Sequence, residues 1–302
     1  MAIDEHLSVI VQGPVSDFES PLTGRPMTES LCRSVRNYLP RAEIVVSTWE
    51  GADTEKLDYD TLVTSEDPGP QGVRPGFIPN NINRQIVSTK RGLQAAGRKY
   101  AVKIRSDMEL LGGEFLECLP NMPVVRTDDA IFERVMLCNN LSSRHPSAVS
   151  ARLPGHWLLF HPSDHFHAGL RNDLLSLWEI PLQSREDANW FLSRFRPNSY
   201  RDNELSKLTP EQYMFTQALA RTRSIDLAHY AHAPPDLLNM SQRMMRAHFF
   251  HVSDRRLPIL FPKYHTPHHF SFDWMRVDDV CRNNRIPFSL WPKALFRDGE
   301  PN

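Results

Sequence analysis

Residues 7–14, LSVIVQGP, decide the fold class. The first five form an apolar, mostly β-branched run, which is typical of a strand buried on both faces of a parallel sheet. Gln12, Gly13 and Pro14 then give a turn signal. We therefore predict a buried strand over residues 7–11, followed directly by a turn.

Strand and helix signals alternate along the chain after this first strand. Apolar residues at helical spacing predict a helix over residues 28–39, with Thr28 as its N-cap, and another helix that Asn81 caps. Further strands are predicted over residues 43–47, 61–64 and 100–104. This alternation indicates βαβ crossovers. We expect an α/β fold with a mostly parallel central sheet and flanking helices.

The second half of the chain is less regular. Short extended runs within residues 120–160 predict edge or cover strands, and Ser163 is a suitable N-cap for a helix that continues to Trp178. Thr209, followed by a proline, Glu211 and a glutamine, predicts a strong helix start with a capping box. We expect one compact unit with two halves, residues 1–118 and 119–302.

Composition and motif content exclude several classes of function. Lys and Arg total 35 against 36 for Asp and Glu, and this balance does not favour a nucleic-acid binder. The four cysteines are widely separated, which fits a reducing cytoplasm. The sequence contains no GxGxxG after the first strand, no P-loop and no GxSxG. No run approaches the roughly 18–20 apolar residues of a spanning helix, so we expect a soluble cytoplasmic protein that associates with a membrane only peripherally, if at all.

Polar residues follow three of the predicted strands, at the sheet edge where parallel sheets bind ligands. The sharpest signal is RSDME, residues 105–109, in which Asp107 and Glu109 would share one side of an extended chain. Carboxylates at a strand end suit Mn²⁺ or Mg²⁺ carrying a diphosphate. Lys103 and Arg105 could serve the same phosphates. The plainer alternative is that Asp107 only opens a turn.

Two further strand-end and helix-start features suit nucleotide binding. Trp49 and Glu50 follow the second strand and could stack on a base and hold a ribose hydroxyl, although a core position is the plainer reading of a tryptophan. The polar run over residues 80–85 precedes or begins a helix, where backbone N–H groups favour anions. Simple helix capping is the alternative there.

Two features further along the chain suit acid–base chemistry or substrate binding. Glu211 lies in the first turn of its predicted helix and could act as a general base, with favourable interaction with the helix dipole as the alternative. The histidine-rich run 161–167 matches no zinc spacing. Hydrogen bonding to substrate, or capping by Ser163 and Asp164, explains that run better.

Several of these runs together resemble the WavE-type lipopolysaccharide synthesis family, glycosyltransferase-like proteins of the bacterial cell envelope. The resemblance extends over about residues 7–220. The runs that carry it are IVQGPV (10–15), SLCRSVRNYLPRAEIVVSTWEG (30–51), NINRQIVSTKRGL (81–93), KIRSD (103–107), HPSDHFHAGLRNDLLSLWEIP (161–181) and LTPEQY (208–213).

The resemblance implies a GT-A-like fold with a Rossmann-like nucleotide-sugar half, residues 1–118, fused to an acceptor half with a C-terminal extension, residues 119–302. Asp107 would take the metal-binding place of a DxD motif. The frame Arg105–Asp107 has an arginine as its first residue, whereas the frame Asp107–Glu109 is shifted by two, and both frames stay open. The residues expected at the donor site are Gln12, Gly13, Pro14, Thr48, Trp49, Glu50, Asn83, Arg84, Lys103 and Arg105.

The expected function is transfer of a sugar from a nucleotide sugar to a hydroxyl of a bacterial surface glycan: lipopolysaccharide core, O-antigen or capsule. Asp107, with or without Glu109, would bind Mn²⁺ or Mg²⁺. Glu211 is the expected base, and Asp164 is the second choice. Two alternatives stay open: a sugar-phosphate or nucleotidyl transferase on a similar scaffold, and a non-catalytic glycan- or nucleotide-binding subunit.

Overall fold

A seven-stranded sheet organises the chain in the computed structural model, which describes residues 2–128, 130–139, 141–144, 158–195, 205–252 and 257–262. The sheet order is β3-β2-β1-β4-β7-β6-β8, and β5 pairs with β9 in a separate two-stranded sheet. The strands are β1 (Leu7–Gln12), β2 (Glu43–Trp49), β3 (Thr61–Ser65), β4 (Tyr100–Arg105), β5 (Glu109–Leu110), β6 (Met136–Asn139), β7 (Phe166–Leu170), β8 (Phe249–Val252) and β9 (Ile259–Leu260).

Six α-helices accompany the strands in the described residues. They are α1 (Met27–Tyr38), α2 (Ile82–Ala95), α3 (Arg171–Trp178), α4 (Arg185–Ala188), α5 (Pro210–Leu219) and α6 (Pro235–His248). Short 3₁₀ helices cover Ile3–His6, Glu114–Asn121 and Trp190–Leu192. In the part of the chain that the structure describes, no helix combines the length and the apolar character needed to cross a membrane.

The predicted mostly parallel sheet with flanking helices is confirmed. The strands β1, β2, β3 and β4 all run parallel to their neighbours within this group, and each begins and ends within two residues of its prediction. Every residue of β1 is buried, which is why its sequence shows a continuous apolar run rather than an alternation.

Helix α2 packs unusually close to the sheet at a glycine. A Cβ added to Gly92 would lie 2.6 Å from Ile10 Cγ2 and 3.0 Å from Ser47 Cβ. The Ser47 hydroxyl donates a 2.7 Å hydrogen bond to the Ser88 carbonyl oxygen one turn earlier in the helix. Glycine at position 92 therefore lets the C-terminal half of α2 pack closely against β1 and β2.

The helix caps differ from two of the predictions. Thr28 is not the N-cap of α1, which begins after Pro26; the Thr28 hydroxyl instead donates to the Ser106 carbonyl oxygen at 3.0 Å. Asn81 holds the N-cap position of α2 without a side-chain capping bond, and the Asn80 Oδ1 atom accepts from the Ile82 N–H at 2.9 Å. A tertiary contact and a neighbouring asparagine thus replace the predicted caps.

The predicted helix from Ser163 to Trp178 is wrong in its first half. Residues Phe166–Leu170 form β7, which pairs antiparallel with β4, and only Arg171–Trp178 is helical. Because β7 runs antiparallel to β4, its N-terminal end lies at the carboxyl edge of β1 and β4. Asp164, two residues before β7, is thereby placed beside the end of β4.

The predicted edge or cover strands within residues 120–160 also need correction. β6 lies inside the sheet, between β7 and β8, because it pairs antiparallel with β7 and parallel with β8. Residues 145–157 lie outside the described residues. Strands from both sides of residue 118 share the one sheet, and the assignment of donor and acceptor roles to 1–118 and 119–302 stays a prediction. The C-terminal extension after residue 262 is also outside the described residues.

Candidate functional site

A cleft of about 470 Å³ opens at the carboxyl edge of the sheet. It is formed by the ends of β1, β2 and β4, the N-terminal turns of α2 and α5, and the segment before β7. This is the edge at which parallel sheets bind ligands. The predicted site residues that line it are Gln12, Gly13, Pro14, Trp49, Arg84, Arg105, Asp107, Asp164 and Glu211.

Hydrogen bonds between the ends of β1, β2 and β4 fix the cleft floor. The Gly13 N–H donates to the Ser47 carbonyl oxygen at 3.1 Å, and the Ser106 N–H donates to the Gln12 carbonyl oxygen at 2.9 Å. The Ser106 hydroxyl donates to the Pro14 carbonyl oxygen at 2.6 Å. Gly13 has φ +123°, and a Cβ there would lie 3.0 Å from Ser106 Oγ, so this crossing requires glycine.

Asp107 and Arg105 form a two-point ion pair at the end of β4. Arg105 Nε lies 3.0 Å from Asp107 Oδ1, and Arg105 Nη2 lies 2.8 Å from Asp107 Oδ2. The Asp107 side chain is buried, and the guanidinium also lies 5.1 Å from the centre of the Phe261 ring. Such a two-point geometry orients the guanidinium as well as attracting it.

Glu109 does not share a side with Asp107. Residues Ser106 and Asp107 form a turn, so the extended conformation assumed for the pair does not persist. Glu109 lies in β5, pairs with Leu260 of β9, and accepts a 2.6 Å hydrogen bond from the Ser20 hydroxyl. Glu109 is not among the residues that line the cleft.

The acidic side chains around Asp107 are the candidate ligands for a divalent cation. Among the residues that the structure describes, no three His, Cys, Asp or Glu side chains come together as a metal site. Both Asp107 oxygens already bind Arg105. These donors do not fit a cation held by protein side chains alone. Participation of Mn²⁺ or Mg²⁺ stays a prediction.

Arg84 and Trp49 lie on the α2 and β2 sides of the cleft. The Arg84 guanidinium binds both carboxylate oxygens of Asp67, with Nε 2.7 Å from Oδ1, and lowers the pKa of that carboxyl. Trp49 is half-buried at the end of β2. The cleft thus has a guanidinium and an aromatic ring within its walls.

Asp164 is buried at the cleft floor. Its Oδ2 accepts a 2.6 Å hydrogen bond from Gln85 Nε2, and its Oδ1 lies 3.3 Å from His165 Nδ1. Burial would raise the pKa of the Asp164 carboxyl, but His165 in its protonated form, the charges of Lys103 and Arg105, and the hydrogen bond from Gln85 together outweigh burial and lower it. Asp164 is therefore a carboxylate at neutral pH. Burial lowers the pKa of His165 to about 4, so its imidazole is neutral there.

Lys103 does not line the cleft; it binds the backbone of the segment before β7. Its side chain is fully buried, its ammonium donates to the Asp164 carbonyl oxygen, and Nζ lies 4.9 Å from the centre of the Trp178 ring. Burial lowers the pKa of Lys103 to about 7. The predicted contact between Lys103 and a phosphate therefore does not match its position.

Glu211 reaches the cleft because a capping box starts α5 beside it. The Thr209 hydroxyl accepts from the Gln212 N–H at 3.2 Å, and the Gln212 side chain accepts from the Thr209 N–H at 3.2 Å, which confirms the predicted helix start. Glu211 Oε2 lies 3.5 Å from His161 Nε2, and both side chains are buried. A buried carboxylate beside an imidazole can accept a proton from a bound hydroxyl.

Three other predicted donor-site residues do not line the cleft. Thr48 is fully buried within β2, and Glu50 is exposed beyond its end. Asn83 is buried and binds the Gln183 backbone twice, donating to its carbonyl oxygen at 3.0 Å and accepting from its N–H at 2.7 Å. Asn83 joins α2 to the segment before α4.

The cleft also contains residues outside the predicted donor and catalytic sets. Gln85 and Asn81 lie at the start of α2, in the polar run already noted, and His165 belongs to the histidine-rich run. Ser142 and Ile78 reach the cleft from loops. Ser142 has a positive φ of 62°, and the local sequence carries no signal for that conformation.

The chain shows similarity to solved structures and to a protein family. Among solved structures it is similar to a 4-diphosphocytidyl-2C-methyl-D-erythritol synthase from Anaerococcus prevotii DSM 20548, with 11% identity, TM-score 0.35, and 80% of this chain and 99% of that chain covered. It is also similar to a CMP:2-keto-3-deoxy-manno-octonic acid synthetase complexed with CTP, with 11% identity, TM-score 0.33, and 61% of this chain and 82% of that chain covered. No curated protein matches. The family model for WavE lipopolysaccharide synthesis matches residues 7–279. The chain belongs to the WavE lipopolysaccharide synthesis family.

Proposed function

We propose that this protein is a glycosyltransferase that moves a sugar from a nucleotide-sugar donor to a hydroxyl of a bacterial cell-surface glycan: lipopolysaccharide core, O-antigen or capsule. The observation that carries the proposal is the pairing, in one cleft, of two guanidinium groups with two buried carboxylates. Arg84 and Arg105 suit a diphosphate, and Asp164 and Glu211 suit hydroxyl groups. Membership of a lipopolysaccharide synthesis family supports a surface glycan as the product.

Donor binding would use the β1, β2 and α2 sides of the cleft. Arg105, oriented by Asp107, and Arg84, oriented by Asp67, each line the cleft and can donate paired hydrogen bonds to phosphate oxygens. The half-buried Trp49 ring offers a stacking surface for the base. Positioned guanidinium groups also stabilise the negative charge that develops on a departing nucleoside diphosphate.

Acceptor activation would use Glu211. In the transfer step the acceptor oxygen forms a bond to the anomeric carbon, the bond from that carbon to the diphosphate breaks, and the hydroxyl proton passes to Glu211. His161 Nε2, 3.5 Å from Glu211 Oε2, holds the carboxylate in place. Asp164 is the second candidate base, because it too is a buried carboxylate in the cleft.

The partners in this proposal are a nucleotide sugar and a glycan or glycolipid acceptor, with no nucleic acid. We place the reaction in the cytoplasm, where nucleotide sugars are made, with peripheral association at the inner face of the membrane if the acceptor is lipid-linked. A divalent cation carried by the donor diphosphate is also part of the proposal, and nucleotide binding with and without metal measures its participation directly.

A nucleotide-binding panel tests the donor site. We expect one of UDP, GDP, CDP, CMP or ADP to raise the melting temperature, because a ligand that binds only the folded state stabilises it by mass action: about 2.7 kcal/mol at a hundred times Kd. Each nucleotide is measured with and without Mn²⁺ or Mg²⁺. A shift that requires the metal supports a cation at the site, and a metal-independent shift assigns the diphosphate to the arginines alone.

Arginine variants locate the binding in the cleft. Arg84→Gln and Arg105→Gln should each weaken the selected nucleotide at least about tenfold. Arg36→Gln is the matched control, since Arg36 pairs with Asp58 and Asp60 away from the cleft and should keep the same ligand-induced shift. No shift with any nucleotide, or equal losses in all three variants, would contradict the proposed donor site.

A further inference from the structure

Three buried oxygen atoms of cleft residues have no hydrogen-bond donor in the described structure. They are Gln12 Oε1, Gln85 Oε1 and Asp164 Oδ1. The three residues line the cleft and are only 4%, 9% and 4% exposed. Buried acceptors without donors are rare in native proteins, and each one calls for an explanation.

The orientation of both amides follows from their partners. Gln12 Nε2 lies 2.8 Å from the Ser88 hydroxyl, which itself donates to the Arg84 carbonyl oxygen at 2.7 Å. The Ser88 oxygen must therefore accept, and Gln12 must present its NH₂ group to it. Gln85 Nε2 lies 2.6 Å from Asp164 Oδ2, and a carboxylate only accepts. In both residues the side-chain carbonyl oxygen is thus the atom without a hydrogen-bond donor.

The free Asp164 oxygen has a neighbour that does not serve as its donor. His165 Nδ1 lies 3.3 Å from Asp164 Oδ1 but also 3.0 Å from the Ser163 hydroxyl. That hydroxyl also accepts from the His165 backbone N–H at 3.3 Å. A carboxylate oxygen has two lone pairs, so Asp164 Oδ1 keeps at least one unused lone pair in either tautomer of His165.

We propose that Gln12, Gln85 and Asp164 form a subsite for the hydroxyl groups of a sugar ring. This inference rests on the proposed function and identifies the cleft residues that bind the sugar. Adjacent ring hydroxyls supply several hydrogen-bond donors in one rigid group, and each of the three residues has an oxygen atom with an unused lone pair. Phosphate oxygens carry no proton to donate and would be repelled by the same oxygen atoms.

An ammonium group is a poorer match than neutral hydroxyls. Lys103 and Arg105 both lie close enough to Asp164 to stabilise its charged form, so a further cation at this carboxylate would be repelled by two existing ones. The ring could belong to the donor sugar or to the acceptor glycan, and both present the same hydroxyl chemistry. The test below distinguishes these two sources.

The test compares sugar-bearing with sugar-free ligands in glutamine variants. Affinities are measured by titration calorimetry for UDP, GDP, CDP and ADP, for their hexose conjugates, and for methyl glucoside, galactoside and mannoside. In the wild type we expect at least one hexose-bearing nucleotide to bind about tenfold more tightly than the same nucleotide without the sugar. Alternatively, we expect one methyl glycoside to bind in the absence of any nucleotide. Gln85→Met and Gln12→Met should each remove about tenfold of this sugar-dependent affinity and leave the nucleoside diphosphates unchanged.

Gln94→Met is the matched control, because Gln94 lies exposed on the same helix as Gln85 and should change no affinity. Two variants are used because Gln85→Met also removes the donor to Asp164, and melting curves establish that each folds. Loss confined to the hexose conjugates assigns the subsite to the donor sugar, and loss confined to the methyl glycosides assigns it to the acceptor.

Equal weakening of nucleoside diphosphates and their conjugates would overturn the sugar subsite while leaving nucleotide binding established. Absence of any sugar-dependent affinity in the wild type would also overturn it. Wild-type protein that binds methyl glycosides but no nucleotide or conjugate would retain the subsite and reject the proposed donor. The two proposals therefore fail separately.

Discussion

Asp107→Ala is expected to lower turnover by at least about 10²-fold while leaving the fold intact, the size of loss typical when one fixed electrostatic group is removed from an active site. Asp107 holds one edge of the Arg105 guanidinium through two hydrogen bonds of 2.8 and 3.0 Å. Without that carboxylate the guanidinium loses its fixed orientation, so its contribution to the departing diphosphate falls. Steady-state kinetics with the selected nucleotide sugar, together with a melting curve, provides the measurement.

A parallel change at Glu109 distinguishes the two frames of the acidic motif. Glu109→Gln should keep turnover within about threefold of wild type, because Glu109 bonds to Ser20 in β5 and does not line the cleft. The glutamine side chain can still accept the hydrogen bond from the Ser20 hydroxyl. An active Asp107→Ala variant together with an inactive Glu109→Gln variant would reverse the assignment and reject the geometry described above.

Glu211→Gln should reduce kcat by about 10²- to 10⁴-fold, the usual contribution of a positioned general base. The glutamine is close in shape and keeps hydrogen bonding, but it cannot accept the acceptor's proton. Donor affinity should stay unchanged, since the diphosphate is assigned to Arg84 and Arg105. Rapid-quench measurement of a single turnover, combined with titration of the nucleotide, separates the two effects.

A merely structural role for Glu211 predicts a different result. An acid in the first turn of a helix contributes about 0.3–1 kcal/mol through the helix dipole, so its loss would lower the melting temperature but not the rate. Asp236→Asn is the matched control, because Asp236 is an exposed first-turn acid of α6. If Glu211→Gln turns over normally and Asp164→Asn does not, the base is Asp164.

Several parts of the fold could be predicted from sequence because their signals are local. The run over residues 7–11, the apolar spacing of α1 and the capping box at Thr209 each depend on a few neighbouring side chains. The strand β7 could not be predicted in this way. Its residues Phe166–Leu170 are extended because they pair with β4, about sixty positions earlier in the chain, and that pairing carries no local signal.

The same distinction applies to the candidate site. Residues at strand ends, such as Gln12 and Asp107, were found because parallel strands bring their carboxyl ends to one edge. Glu109 was misplaced because a turn at Ser106 and Asp107 interrupts the extended chain. Lys103 precedes Arg105 by two residues, but it is fully buried and its ammonium binds the Asp164 carbonyl oxygen. Residue type and spacing alone therefore do not predict which of these side chains reach the cleft, because that depends on tertiary contacts and burial.

Product identification tests the central claim most directly. The protein is incubated with the nucleotide sugar chosen by the binding experiments and with lipopolysaccharide-type oligosaccharides, and all products are analysed by mass spectrometry. We predict release of the free nucleoside diphosphate, or of CMP from a CMP-linked sugar, together with a glycan that is heavier by one sugar residue. Three results would each contradict the assignment as a glycosyltransferase. The first is transfer of a sugar phosphate with release of a nucleoside monophosphate from a diphosphate donor. The others are synthesis of a nucleotide sugar with release of pyrophosphate, and tight binding without turnover.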